Sequence, residues 1–388
     1  MDFALKISEK VSQLKGYKVL ELASVLAGPA VGQFFAELGA EVIKVENLTA
    51  GGDVTRSWKS AGEKTDDRSA YFCAVNWGKR SIAIDLNTIE GKNIVQKLAR
   101  RSDIVIASYK PGDAEKLGVD YKTLSQDHPD LIYGQISGYG AGNPRVGYDA
   151  IIQAETGFMF MNGEPGGPSL KMPVALVDVL AGHQLKEGLL LAMLERVKTG
   201  RGKLVEVSLI QAAAASLVNQ ASNWLVAHKL PQKQGSAHPN IAPYGEVFTT
   251  ADGKELIMAV GSDQQFRALC KLLDLNEVAG DHRYSTNALR VENRKALAAS
   301  LTARISTLSS QELMPKIHAA KIPAGIIQDM SQVFQMEEVK QLVLRGSGLQ
   351  GVRTYVAHAS PDDPVQLSAP PKLGEHTDEI IRLLDSGL

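Results

Sequence analysis

Lys18-Val19-Leu20-Glu21-Leu22, then Ala27-Gly28-Pro29, then Gly39-Ala40-Glu41-Val42-Ile43-Lys44-Val45-Glu46 is the stretch on which the fold turns. Its outer segments are strand-like, and the glycine–proline turn between them opens a helix. Pro29 suits a first helical turn, where its missing N–H costs nothing, and Val31, Phe34, Phe35 and Leu38 fall on one helical face. Strand, helix and strand in this order make a βαβ unit, whose crossover is right-handed and whose strands are parallel. The pattern recurs in residues 81–86, a helix over 91–101, and strands at 104–107 and 131–136. Such alternation predicts a doubly wound α/β domain.

Further along, residues 137–173 are rich in Gly and Pro, a composition of loops that often carry function. A long helix is expected over 179–198, stopped where Gly200 takes a left-handed cap. A strand over 203–209 and an Ala-rich helix to about 227 complete a first part, 1–228. A polar, proline-bearing linker, 229–244, separates it from a small α/β unit, 245–325, with strands at 246–249 and 255–260 and helices after Ser262 and Asn287. The remainder, 326–388, holds short strands, Ala369-Pro370-Pro371 and a helix from Thr377.

The 388 residues are 44% hydrophobic, with 42 Lys+Arg against 43 Asp+Glu, so the chain has the material for two or three packed domains. A net charge of -1 with interspersed signs argues against nucleic-acid binding and a polybasic membrane anchor. Cys73 and Cys270 lie far apart among apolar neighbours, which gives neither a disulfide framework nor a paired-thiol zinc site. With no signal-peptide core near the start and no uncharged apolar run of spanning length, a soluble cytoplasmic protein is expected.

Several chemistries fail on spacing. Ala27-Gly28-Pro29-Ala30-Val31-Gly32 lacks the first glycine of a dinucleotide fingerprint and sets a proline beside the second, and the phosphate-binding loop is absent. No His-Glu-x-x-His or Cys/His cluster suggests a metal. Ile136-Ser137-Gly138 lacks the preceding glycine of a nucleophile elbow. Asp178 stands out, in Pro173-Val174-Ala175-Leu176-Val177-Asp178-Val179-Leu180-Ala181-Gly182. One account makes it an N-cap that satisfies free N–H groups; the other makes it a carboxylate held ionised at a helix start and a nucleophile toward an activated acyl group. Local sequence leaves both open.

Several segments together resemble the class III CoA-transferase family, which includes formyl-CoA:oxalate and carnitine CoA-transferases and α-methylacyl-CoA racemases. They are Val25-Leu26-Ala27-Gly28-Pro29, the run from Leu38 to Glu46, Gly78-Lys79-Arg80-Ser81-Ile82-Ala83-Ile84-Asp85-Leu86, Lys110-Pro111-Gly112, Gly147-Tyr148-Asp149 with Gln153-Ala154, Asp178, Thr199-Gly200-Arg201-Gly202, His238-Pro239-Asn240-Ile241-Ala242-Pro243-Tyr244, and Leu373-Gly374-Glu375-His376-Thr377. Their common order through the chain is what makes the resemblance specific.

The resemblance implies a homodimer of interlocked subunits, each with a large Rossmann-like domain built from both chain ends and a smaller domain inserted late. It implies an enzyme in which Asp178 attacks an acyl-CoA thioester, forming a mixed anhydride and then an aspartyl-CoA thioester. Acyl-CoA and a carboxylic acid are the implied partners, coenzyme A the only cofactor, with no metal and no nicotinamide. Tyr148 and Asp149 are expected to support Asp178, and His238 to meet an acceptor carboxylate or stiffen the linker. Tyr148 stands where racemases carry histidine, and with its ordinary pKa of about 10 it is a poor general base at neutral pH. This favours transfer over racemisation; an acyl-CoA racemase or epimerase of the same fold stays an alternative, with a silent CoA-binding protein and a hydride-transferring enzyme as the readings from other classes. CoA is expected against Val25, Leu26, Ala27, Ile84, Ser108, Tyr109, Lys110, Lys116 and Arg145. Asn47 and Asn87 replace basic residues of the formyl-CoA enzyme, Leu26 replaces its glutamine, and Val260-Gly261-Ser262-Asp263 replaces its tetraglycine loop, so oxalate specificity is not implied.

Overall fold

The structure, a computed structural model, describes residues 12–357 and 366–386. Six strands form one sheet: β1 (Lys18–Leu22), β2 (Glu41–Asn47), β3 (Lys79–Ile84), β4 (Ile104–Ala107), β5 (Ile132–Ser137) and β6 (Leu204–Ser208). Their order is β3-β2-β1-β4-β5-β6 and every pairing is parallel. The chain therefore winds outward from β1 in one direction and from β4 in the other. Connections leaving β1 and β4 diverge, opening a crevice beyond their C-terminal ends, the place where sheets of this order bind ligands.

Burial explains the strand composition. Leu20, Ile82, Val105 and Tyr133 are fully buried in one core cluster beneath helix Ile89–Ala99 and the C-terminal helix Thr377–Asp385. On the other face, helix Ala27–Glu37 is buried along its whole length, not only on its apolar stripe. Its polar side chains are satisfied internally: Gln33 Nε2 donates to Glu37 Oε1 at 2.9 Å, Trp77 N–H donates to Gln33 Oε1 at 3.1 Å, and the Glu37 carboxylate accepts from the N–H groups of Thr354 and Tyr355. A buried polar group so paired avoids the desolvation penalty that periodicity alone would forbid.

The long helix runs Leu176–Thr199, three residues earlier than expected, and ends on Gly200 at φ +68°. The Ala-rich region is two helices, Leu209–Ala215 and Val218–Leu225. The C-terminal segment returns to the edge of the sheet, where His376 N–H donates to Ser81 O at 2.9 Å and Ala83 N–H to Thr377 Oγ1 at 3.0 Å.

The chain divides into two compact units, one of residues 1–156, 173–217 and 338–388, the other of 157–172 and 218–337. The expected linker, 229–244, lies inside the second unit, whose limits fall outside the expected 245–325 on both sides. That unit is organised on an antiparallel sheet, β7 (Tyr244–Thr249), β8 (Glu255–Ala259) and β9 (Ala324–Ile326), with Phe248, Leu256, Met258, Leu269 and Leu301 in its core.

Candidate active site

At the crevice between β1 and β4 lies a cleft of about 240 Å³. Five stretches of the first unit wall it: the turn 24–28 after β1, residues 108–111 after β4, the end of β5 with the loop 145–148, the first turn of the long helix, which contributes Asp178, and Leu209 just after β6. A second hollow of about 220 Å³ shares Ser24, Ser108 and Tyr109 and is lined also by Lys44, Glu46, Asn47 and Asp53.

Asp178 is the third helical residue, not the cap. Ala175 occupies the N-cap position and has no side-chain bond to offer; Asp149 supplies the cap from a distance, its Oδ1 accepting from Val177 N–H at 2.8 Å. The capping account of Asp178 is thereby overturned. Asp178 is 7% exposed, and no hydrogen bond from the described residues holds its carboxyl. Burial pushes its pKa up to about 7 and the neighbouring Asp149 carboxylate adds to the rise. The expectation of a carboxylate firmly ionised by the helix start is corrected with it, because desolvation outweighs the helix-end field. What results is an acid poised to exist in both forms near neutrality.

Asp149 is placed by a loop closed on itself. Gly138, after β5, and Gly147 touch backbone to backbone: a Cβ on Gly147 would meet Gly138 Cα at 2.4 Å, and one on Gly138 would meet Gly147 N at 2.5 Å. Any side chain here would force the loop apart. Directly after it, Tyr148 and Asp149 begin helix Asp149–Glu155, in which Gln153 Nε2 donates to Asp149 Oδ2 at 2.7 Å. Both oxygens of Asp149 are thus engaged, whereas Tyr148, 56% exposed, faces the cleft.

Of the expected CoA-binding residues, Val25, Leu26, Ala27, Ser108, Tyr109, Lys110 and Arg145 line the cleft. Burial pushes the Tyr109 phenol up to about 12. Arg145 lies over the Tyr139 ring at 4.0 Å, bonds its hydroxyl at 2.9 Å and pairs with Glu155. Ile84 is instead part of the buried core at the end of β3, and Lys116 is exposed and paired with Asp113 at 3.0 Å. Asn47 lines the second hollow and caps its own turn, accepting from Thr49 and Ala50, while Asn87 bonds Asp85. His238 belongs to the second unit, where its Nδ1 accepts from Asn240 N–H at 3.1 Å and its ring stands against Tyr244.

Sequence reasoning passes over three contributors. Tyr71 lies near enough for Asp178 and Asp149 to help burial raise its phenol pKa, and nothing in Ala70-Tyr71-Phe72-Cys73 signals it. Lys44 and Asp53 form a buried ion pair of 2.9 Å under the second hollow. A lysine amid the apolar run of β2 was the available signal, since a buried charge demands a partner.

Residues 14–377 match the model of CoA-transferase family III. The chain belongs to that family. A succinate–glutarate CoA-transferase of Agrobacterium fabrum is 38% identical to this family III chain across 96% of both sequences. A human succinyl-CoA:glutarate CoA-transferase is 33% identical over 96% of this chain and 86% of its own. Among solved structures, a CAIB/BAIF family protein from Brucella suis superposes with a TM-score of 0.87 at 39% identity, covering 96% of this chain and all of the other. The resemblance first carried by scattered motifs thus extends over nearly the full length, and the chain is a class III CoA-transferase.

Proposed function

We propose that this CoA-transferase moves CoA from an acyl-CoA donor to a carboxylic acid through covalent intermediates on Asp178, and that succinyl-CoA and a short dicarboxylic acid are its substrates. The observation that carries the mechanism is Asp178 itself: a buried carboxyl without hydrogen-bond partners among the described residues, in the cleft at the sheet's divergence point. The relatives named for succinyl-CoA, succinate and glutarate support the substrate class.

In this reading the ionised Asp178 oxygen adds to the thioester carbonyl, the C–S bond breaks, and an acyl–aspartyl anhydride and a CoA thiolate result. The thiolate attacks the aspartyl carbonyl, freeing the donor acid and leaving aspartyl-CoA thioester. An acceptor carboxylate repeats the exchange in reverse, so the new acyl-CoA leaves with the thioester bond conserved and Asp178 restored. A desolvated carboxylate is the stronger nucleophile for the first step, and the loss of its hydration is what raises its pKa. Exclusion of water preserves the anhydride. Ser108, Tyr109, Lys110 and Arg145 are assigned to CoA, His238 to the acceptor, and the active species to a cytoplasmic homodimer.

Intact-protein mass spectrometry with succinyl-CoA, in parallel on Asp178→Ala, tests this directly. A CoA or succinyl adduct on the wild type, removed by hydroxylamine and absent from the variant, is expected, together with glutaryl-CoA formation on adding glutarate. Binding of acyl-CoA without any adduct defeats the covalent route; transfer without glutarate acceptance defeats only the substrate assignment.

A further inference from the structure

Val25 carries a φ of +71°. A β-branched side chain is crowded in that left-handed region, and such a conformation persists only where its surroundings over-determine it. Here they do so by side chains from other elements gripping successive residues of the turn that walls the cleft. Lys44 Nζ, from β2, donates to Ala23 O at 2.7 Å; Ser24 N–H donates to Ser108 Oγ at 3.2 Å; Val25 N–H donates to Asp53 Oδ1 at 3.3 Å.

Asp53 is itself locked. It is 4% exposed, its Oδ1 also accepts from Thr55 N–H at 3.0 Å and Thr55 Oγ1 at 2.8 Å, its own N–H donates to Glu46 Oε2 at 2.9 Å, and its Oδ2 lies 2.9 Å from Lys44 Nζ. Lys44 is shared with Glu21 at 2.9 Å, and Glu21 with Lys79 at 2.7 Å. Burial alone would discharge Asp53, but Lys44 keeps its carboxyl below the usual range. The turn passes its position on: a Cβ on Gly182, one helical turn beyond Asp178, would lie 3.3 Å from Ala27 O, so the Asp178 helix packs directly on Ala27, where the turn runs into its helix.

We infer that Asp53, charged and held by Lys44, is a positioning residue that pins Val25 in its left-handed conformation and so fixes the cleft wall facing Asp178. It touches no reacting atom; it acts through the 23–27 backbone. The inference rests on the reading of Asp178 as the nucleophile.

The test is a double-mutant cycle on the full chain, with Asp53→Ala, Val25→Gly and the pair, reading the rate of adduct formation with succinyl-CoA. Glycine adopts positive φ freely, so in its background the pin has less to do. Asp53→Ala is expected to slow adduct formation about tenfold or more in the Val25 protein, the scale for a small misplacement of reacting groups, and at least about threefold less than that when added to Val25→Gly. Equal losses in the two backgrounds, or no loss in a folded Asp53→Ala protein, overturn the inference. A purely structural role would lower melting temperatures without this coupling. Should Asp53→Ala fail to fold, Asp53→Asn takes its place in the same cycle, with coupling of the same sign expected and its absence overturning. Failure of the underlying reading is separate: the wild type itself then forms no adduct.

Discussion

The ionisation of Asp178 offers the sharpest test of the site. With its pKa near 7, about one-eleventh of the carboxyl is ionised at pH 6 and ten-elevenths at pH 8, so kcat/KM for CoA transfer rises about tenfold between them. Asp149→Asn separates the two causes. The substitution removes the like charge but retains an Oδ1 to accept from Val177 N–H, so the helix start stays capped. Burial, the larger cause, remains; losing the like charge lowers the midpoint from about 7 toward the value that burial alone sets. At pH 6 the ionised fraction then rises above the wild-type value of about one-eleventh and kcat/KM with it, a gain that fades by pH 8, where the wild-type carboxyl is already mostly ionised. The assay is kcat/KM for succinyl-CoA with glutarate from pH 5.5 to 8.5 at constant ionic strength, with product acyl-CoA resolved chromatographically. A wild-type limb below about pH 5, or a variant whose midpoint does not fall, refutes the account of a desolvated carboxyl raised by Asp149.

Other outcomes follow from the same geometry. Because the folded-state pKa of Asp178 lies above its unfolded value of 3.8, its protonated form favours folding and that contribution is lost as pH rises from about 4 through about 7; Asp178→Asn should therefore stabilise the protein at pH 8, by at most about 4 kcal/mol, and hardly at pH 4, as urea midpoints at the two pH values will show. Gly147→Ala drives a methyl group into Gly138 Cα and should cost about 1–3 kcal/mol while slowing adduct formation, since Asp149 moves with the loop; unchanged melting and kinetics would count against the closed loop. Lys44→Met strands Asp53 and half of Glu21 in the interior, and breaking such a buried pair costs about 3–5 kcal/mol; equilibrium unfolding of Lys44→Met that matches wild type would show the network to be expendable.

Much of the first unit is legible from short-range pattern. The alternation from Lys18 to Glu46 predicts parallel strands around a helix, and β1 and β2 pair in that way. Gly200 ends the long helix as a left-handed cap. The signals fail where a residue's role depends on partners distant in sequence. Helix Ala27–Glu37 reads as one-sided, yet Gln33 and Glu37 are buried because Trp77 and residues 354–355 arrive to bond them. Asp178 reads as a cap because acids favour helix starts, yet Asp149, from 28 residues away, takes that bond.

The sequence alone determined the α/β class and the family and singled out Asp178 as the candidate acid, because strand and helix periods, turn residues and an ordered set of motifs are properties of neighbours along the chain. Only the tertiary structure decided what that acid is: which of two carboxylates caps the helix, how far burial raises the other, and that Asp53 and Lys44 hold the turn opposite it. A pKa and a strained φ are set by what surrounds a group in space, through desolvation, field and contact, and those neighbours come from β2, β4, β5 and the loops after them, which meet only when the sheet is assembled.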